Sequence, residues 1–164
     1  MACFPFNMFL WQSTSFKPVS IMNISQDFLK ICIGNHDDDA IYLVMKFRSG
    51  SFDQYYELWC ASEDLEKMEY FLEKIKKIDI ADALLFGIGS FQASFAGDAV
   101  ALTAVRKTHS RYGIAIKAQH VHCKEKQFPD HYNVECELTD LEDFAQEFTH
   151  ACAASGTATL RLRS

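Results

Sequence analysis

The sequence predicts an α+β fold: a mainly antiparallel sheet of about six to seven strands with two helices packed on one face. Three observations predict it. Apolar and polar residues alternate through most of residues 27–138, as in strands that bury one face. Two stretches instead space their apolar residues three and four apart, as helices do. The breaks between strands are mostly short and polar, which suits hairpins and meanders.

Asp27–Gly34 alternates and reads as a first strand, and Gly34–Asp39 (GNHDDD) as a polar turn. Ile41, Leu43, Met45 and Phe47 alternate, as do Phe52, Gln54, Tyr56 and Leu58. A two-residue loop at Ser49-Gly50 joins the two runs and sets Phe47 opposite Phe52, Met45 opposite Gln54, Leu43 opposite Tyr56 and Ile41 opposite Leu58 on the core face. The other face then pairs Lys46 with Asp53, Val44 with Tyr55 and Tyr42 with Glu57.

Ser62 is the expected N-cap of the first helix, with Glu63 and Asp64 where the helix dipole favours acids. Leu65, Met68, Phe71, Leu72, Ile75 and Ile78 form its apolar stripe. Residues 83–96 return to strand character after an irregular start at Gly87 and Gly89. A turn at Gly97-Asp98 sets Phe95 opposite Val100, Ala93 opposite Leu102 and Phe91 opposite Ala104. Tyr112–His122 is the next strand, Lys124–Asp130 a loop and Tyr132–Leu138 the last strand. Thr139-Asp140-Leu141-Glu142 matches the capping box, which starts the second helix at Thr139. Its stripe is Leu141, Phe144, Ala145, Phe148 and Cys152, and Ser155-Gly156 ends it. No internal repeat stands out. The expected organisation is an apolar N-terminal arm or leader over residues 1–22, a single α+β domain over 23–155 and a C-terminal tail or edge strand over 156–164.

The chain has 164 residues, 49% of them hydrophobic, and a net charge of −6. That charge disfavours generic nucleic-acid binding and would speed the approach of a basic partner. The six cysteines are scattered with no CxxC, which reads as reduced thiols in a cytoplasmic protein. No run reaches the roughly 18 apolar residues of a membrane helix, so no membrane association is expected.

Motifs that carry chemistry are sparse. His120, His122 and Cys123, with His131 and Cys136 nearby, are the most metal-like group, but no standard ligand spacing completes a site. Phe86-Gly87-Ile88-Gly89-Ser90 holds only a GxG, without the third glycine of a dinucleotide loop. No Walker loop, nucleophile elbow or HExxH occurs. The expectation is therefore no enzyme, no cofactor and no bound metal. The candidate partner-binding residues are the aspartates Asp37, Asp38 and Asp39 in the first turn, and Tyr42, Asp53, Tyr55, Glu57 and Trp59 on the outward face of the central hairpin. Acids and aromatics exposed together on a sheet suit a protein interface.

The stretch from Gly50-Ser51-Phe52 to Tyr56-Glu57-Leu58-Trp59 is followed by Ser62-Glu63-Asp64-Leu65 and Phe71-Leu72. Later come Asn133-Val134-Glu135-Cys136-Glu137-Leu138 and Thr139-Asp140-Leu141. This succession, over roughly residues 27–152, resembles the bacterial immunity proteins paired with wall-associated protein A and related polymorphic toxins. The resemblance implies a cytoplasmic protein that binds and neutralises a cognate toxin domain delivered by a neighbouring cell. Many such toxins are nucleases with basic clefts, which an acidic inhibitor could occupy. Two other readings stay open: an adaptor or chaperone for a secreted effector, and a small enzyme using a metal or a thiol.

Overall fold

The computed structural model describes residues 27–37, 40–89, 91, 98–120 and 130–163, and of residues 35–37 the backbone alone. The elements run β1 (Phe28–Asp37), β2 (Ala40–Ser49), β3 (Phe52–Cys60), α1 (Ser62–Ile75), β4 (Ala83–Ile88), β5 (Ala99–Arg106), β6 (Arg111–Gln119), β7 (Asp130–Glu137), α2 (Leu138–Ala154) and β8 (Thr157–Arg161). The fold is α+β, as expected. The expected single sheet of six to seven strands is corrected: the strands form two antiparallel sheets of four, ordered β3-β2-β1-β8 and β4-β5-β6-β7.

The second half of the chain repeats the first. Three strands, a helix and a strand (β1–β2–β3–α1–β4) are followed by the same succession (β5–β6–β7–α2–β8). Each half gives its last strand to the other half's sheet: β8 lies beside β1, and β4 beside β5. The registers correspond as well. The row Ala158–Ile31–Met45–Tyr56 in one sheet matches Phe86–Leu102–Ile116–Tyr132 in the other. Tyr56, Cys60, Asp64, Leu65 and Glu66 recur at constant spacing as Tyr132, Cys136, Asp140, Leu141 and Glu142. The two equivalent tyrosines meet, their hydroxyls 3.2 Å apart.

Burial explains these registers. Leu29, Ile31, Leu43, Met45, Tyr56 and Leu58 from one sheet, and Phe86, Leu102, Ile114, Ile116 and Val134 from the other, enter one core. Leu65, Met68, Phe71, Leu72 and Ile75 of α1 and Leu141, Phe144, Ala145 and Phe148 of α2 pack into the same core. A one-residue slip of any strand would turn its apolar set to solvent.

A two-residue slip keeps the faces, and there the expected central hairpin is corrected. Met45 pairs with Tyr56, Leu43 with Leu58 and Ile41 with Cys60, around a turn at Gly50-Ser51. Gly50 has φ +58, and a glycine leading a two-residue loop is one of the favoured hairpin solutions. Asp27 fixes the turn by accepting from Gly50 N (2.9 Å) and Ser49 Oγ (3.1 Å). On the outward face Arg48, not Lys46, opposes Asp53, and Trp59, not Glu57, opposes Tyr42.

Four further expectations are corrected. The strand foreseen over 83–96 stops at Ile88, which pairs with Val100, while Phe86 pairs with Leu102 and Leu84 with Ala104. Gly89 follows with φ +79, and a Cβ there would come within 2.5 Å of the Asp98 carbonyl oxygen. The first strand continues past Gly34 to Asp37 through an irregularity between Ile33 and His36. The N-cap of α1 is Ala61, whose N–H the Asp64 carboxylate accepts at 3.1 Å, so Ser62 is already helical. The N-cap of α2 is Glu137, with no side-chain capping bond: β7 runs directly into the helix, and Leu138 N donates to Ser110 O instead. The residues foreseen as the arm, and Gly97, His122 and Cys123, lie outside the described residues.

Tyr112, on β6, is fully buried, and its hydroxyl has no hydrogen-bond partner among the described residues. The equivalent position of the first half holds Ile41. A buried hydroxyl without a partner costs about 1–3 kcal/mol. Tyr112→Phe is therefore expected to raise stability by about 1 kcal/mol, seen as a higher midpoint in urea at unchanged slope.

Candidate functional site

Alternation in β2 and β3 turns Tyr42, Val44, Lys46 and Arg48, and Asp53, Tyr55, Glu57 and Trp59, away from the core. The face is wet and aromatic: Tyr55 and Trp59 are each 56% exposed. The rings of Tyr42 and Trp59, a cross-strand pair, have centroids 5.0 Å apart at 51°. Gly34 of β1 makes room for this pair, since a Cβ there would sit 3.3 Å from Tyr42 Cδ1. Burial, and then hydrogen bonding to the Glu57 carboxylate, push the Tyr42 phenol above its ordinary pKa.

The two carboxylates on this face differ. Asp53 is taken up by the Arg48 guanidinium, whose Nε and Nη2 both bond Oδ2. Glu57 has no ion pair among the described residues; it stands between Tyr55 and Trp59 along the strand, within reach of the Tyr42 hydroxyl. Of the aspartates foreseen in the first turn, Asp37 ends β1 and pairs by backbone with Ala40. The Asp37 side chain, and Asp38 and Asp39 altogether, lie outside the described residues. The structure thus brings Tyr42, Tyr55, Glu57 and Trp59 together and commits Asp53 to an internal pair.

The acidity foreseen for this face sits mainly elsewhere. Glu63, Asp64, Glu66, Glu69 and Glu73 lie on α1, and Asp140, Glu142, Asp143 and Glu147 on α2, against only Lys67 and Lys74. The outward face of the first sheet also carries Lys30, Lys46 and Arg48.

A polar cluster that alternation alone does not reveal ties β3 to the second sheet. The buried Asp98 carboxylate accepts from Glu57 N (2.9 Å) and from His120 Nδ1–H (3.1 Å) through the same oxygen. His120 stacks on Tyr56 at 4.4 Å, and Tyr56 reaches Tyr132. Asp98 is the counterpart of Asp27, and His120 of Ser49. An aspartate just ahead of the leading strand of each half is the signal that would have found it. Among the described residues no group of three or more His, Cys, Asp or Glu could hold a metal ion.

The described cysteines, Cys32, Cys60, Cys136 and Cys152, are free thiols. Burial pushes Cys60 and Cys152 up to about 11 and Cys136 up to about 12. Each is therefore protonated at neutral pH, the unreactive form. The folded state holds these protons more tightly than the unfolded chain, whose thiols titrate near 8.5. The stability they contribute is full below that pH and is lost as pH rises towards 11–12. The melting temperature is expected to fall steadily above pH 9, measured by a thermal series from pH 7 to 11.

No helix among the described residues is long and apolar enough to cross a membrane, which says nothing of spans made from strands. No protein-family model matches the chain, and no curated protein or solved structure matches it either.

Proposed function

We propose that this chain is an immunity protein, a binding protein that neutralises a cognate bacterial toxin domain in the cytoplasm by covering it. The observation that carries the reading is the exposed face of β2 and β3, where Tyr42, Tyr55 and Trp59 surround Glu57. Exposed aromatics on a rigid sheet make good anchors, because they bury large area with little side-chain entropy to lose. The net charge of −6 and the carboxylates of α1 and α2 favour encounter with a basic toxin such as a nuclease. Protonated, buried thiols weigh against a nucleophilic enzyme. The test is recovery of the tagged chain from its own cells. One dominant partner with a toxin domain, inactive in the complex and active when freed, is expected. A toxin that keeps its activity in the complex would overturn the reading in favour of an adaptor.

A further inference from the structure

Resting on that reading, we infer that Glu57, flanked by the rings of Tyr55, Trp59 and Tyr42, receives an arginine or lysine side chain from a basic protein partner. A cation is attracted both to aromatic faces and to a carboxylate, and the two attractions add where the groups adjoin. The face supplies both. Tyr55, Glu57 and Trp59 occupy successive outward positions of β3, and Tyr42 leans on Trp59 from the neighbouring strand. Asp53, two positions before Tyr55, is occupied by Arg48; Glu57 has no such cation among the described residues.

The repeated architecture supplies an independent comparison. The positions of the second half equivalent to Tyr42, Tyr55, Glu57 and Trp59 hold Gly113, His131, Asn133 and Glu135. Of these four positions the one carboxylate is Glu135, and it is engaged by Lys107, which lies across Gly113. One backbone pattern thus carries, on one side, an aromatic set around a carboxylate with no ion pair among the described residues and, on the other, a closed ion pair. The repeated backbone pattern therefore does not by itself require the aromatic set. The Asp98 bond to Glu57 N fixes the backbone of the receiving residue.

The experiment is a titration of the isotope-labelled full chain with a hexa-arginine peptide, at low and at physiological salt, followed by nuclear magnetic resonance. Saturable shifts are expected at the Trp59 indole and at the Tyr55 and Glu57 amides, persisting at physiological salt. Glu57→Gln and Trp59→Ala should each weaken them about tenfold or more, with Glu66→Gln on α1 without effect. Shifts spread over α1 and α2, screened away by salt and unchanged in Glu57→Gln, would overturn the inference. Because no toxin is present, the result stands apart from the functional reading. A partner that proves not to be a toxin yet places a cation on Glu57 would sustain the inference and overturn only that reading.

Discussion

Trp59→Ala is expected to weaken the complex with the partner by about 2–4 kcal/mol, roughly thirtyfold to several hundredfold in Kd, while leaving the fold intact. Trp59 has the largest side chain on the outward face; its ring leans on Tyr42, and it stands two positions after Glu57 on β3. Its partner-free cost should stay within about 0.5 kcal/mol, because more than half of the residue is already in water. The dissociation rate should rise far more than the association rate falls, since steering belongs to the net charge and anchoring to the ring. Surface-bound kinetics at two salt concentrations, beside a denaturant melt of the free variant, separate the two. Unchanged affinity would remove the β2–β3 face from the interface.

Leu160→Ala is expected to destabilise the protein by about 2–5 kcal/mol and to loosen both sheets together. Leu160 is 1% exposed on β8 and pairs with Leu29 of β1. In an ordinary two-sheet protein, damage to one edge strand would be felt mainly in its own sheet. Here β8 closes the first sheet while α2 ties it to β7 in the second, and β4 and α1 make the reciprocal tie. Neither sheet has its four strands without a strand from the other half. Hydrogen exchange of the variant should show β5 and β6 losing protection alongside β1 and β2. Protection retained in β5 and β6 would mean that the sheets unfold independently.

Local structure was largely legible in the sequence, and long-range pairing was not. Period alone places most of both helix stripes and of the inward set of β2 and β3; it fails at Phe52, which is exposed beside the turn, at Ile78, which lies past the end of α1, and at Cys152, where Ala151 is the buried residue. The hairpin register slipped by two because alternation repeats every two residues and cannot distinguish registers two apart; Gly50 and its contacts to Asp27 decide that. The strand foreseen over 83–96 merged apolar residues on both sides of Gly89 into one run. The repeat was hidden because few identities survive between the halves; matched registers, rather than matched residues, expose it. At the candidate site, Tyr42, Tyr55, Glu57 and Trp59 follow from alternation. The loss of Asp53 to Arg48 depends on a contact that sequence spacing does not encode, and the Asp98 clamp on β3 has a sequence signal, its equivalence to Asp27, that shows only once the two halves are aligned.

The exchange of last strands also has a consequence for synthesis. The core edge of β1 is covered by β8, from almost the opposite end of the described chain. A polypeptide leaving the ribosome can form the β1–β2–β3 meander early, but its β1 edge stays open until Thr157–Arg161 emerges. Throughout that interval Leu29, Ile31 and an unpaired row of backbone groups invite pairing with neighbouring chains. Slowed translation through the second half should therefore lower the soluble yield, and a holding chaperone present during synthesis should restore it.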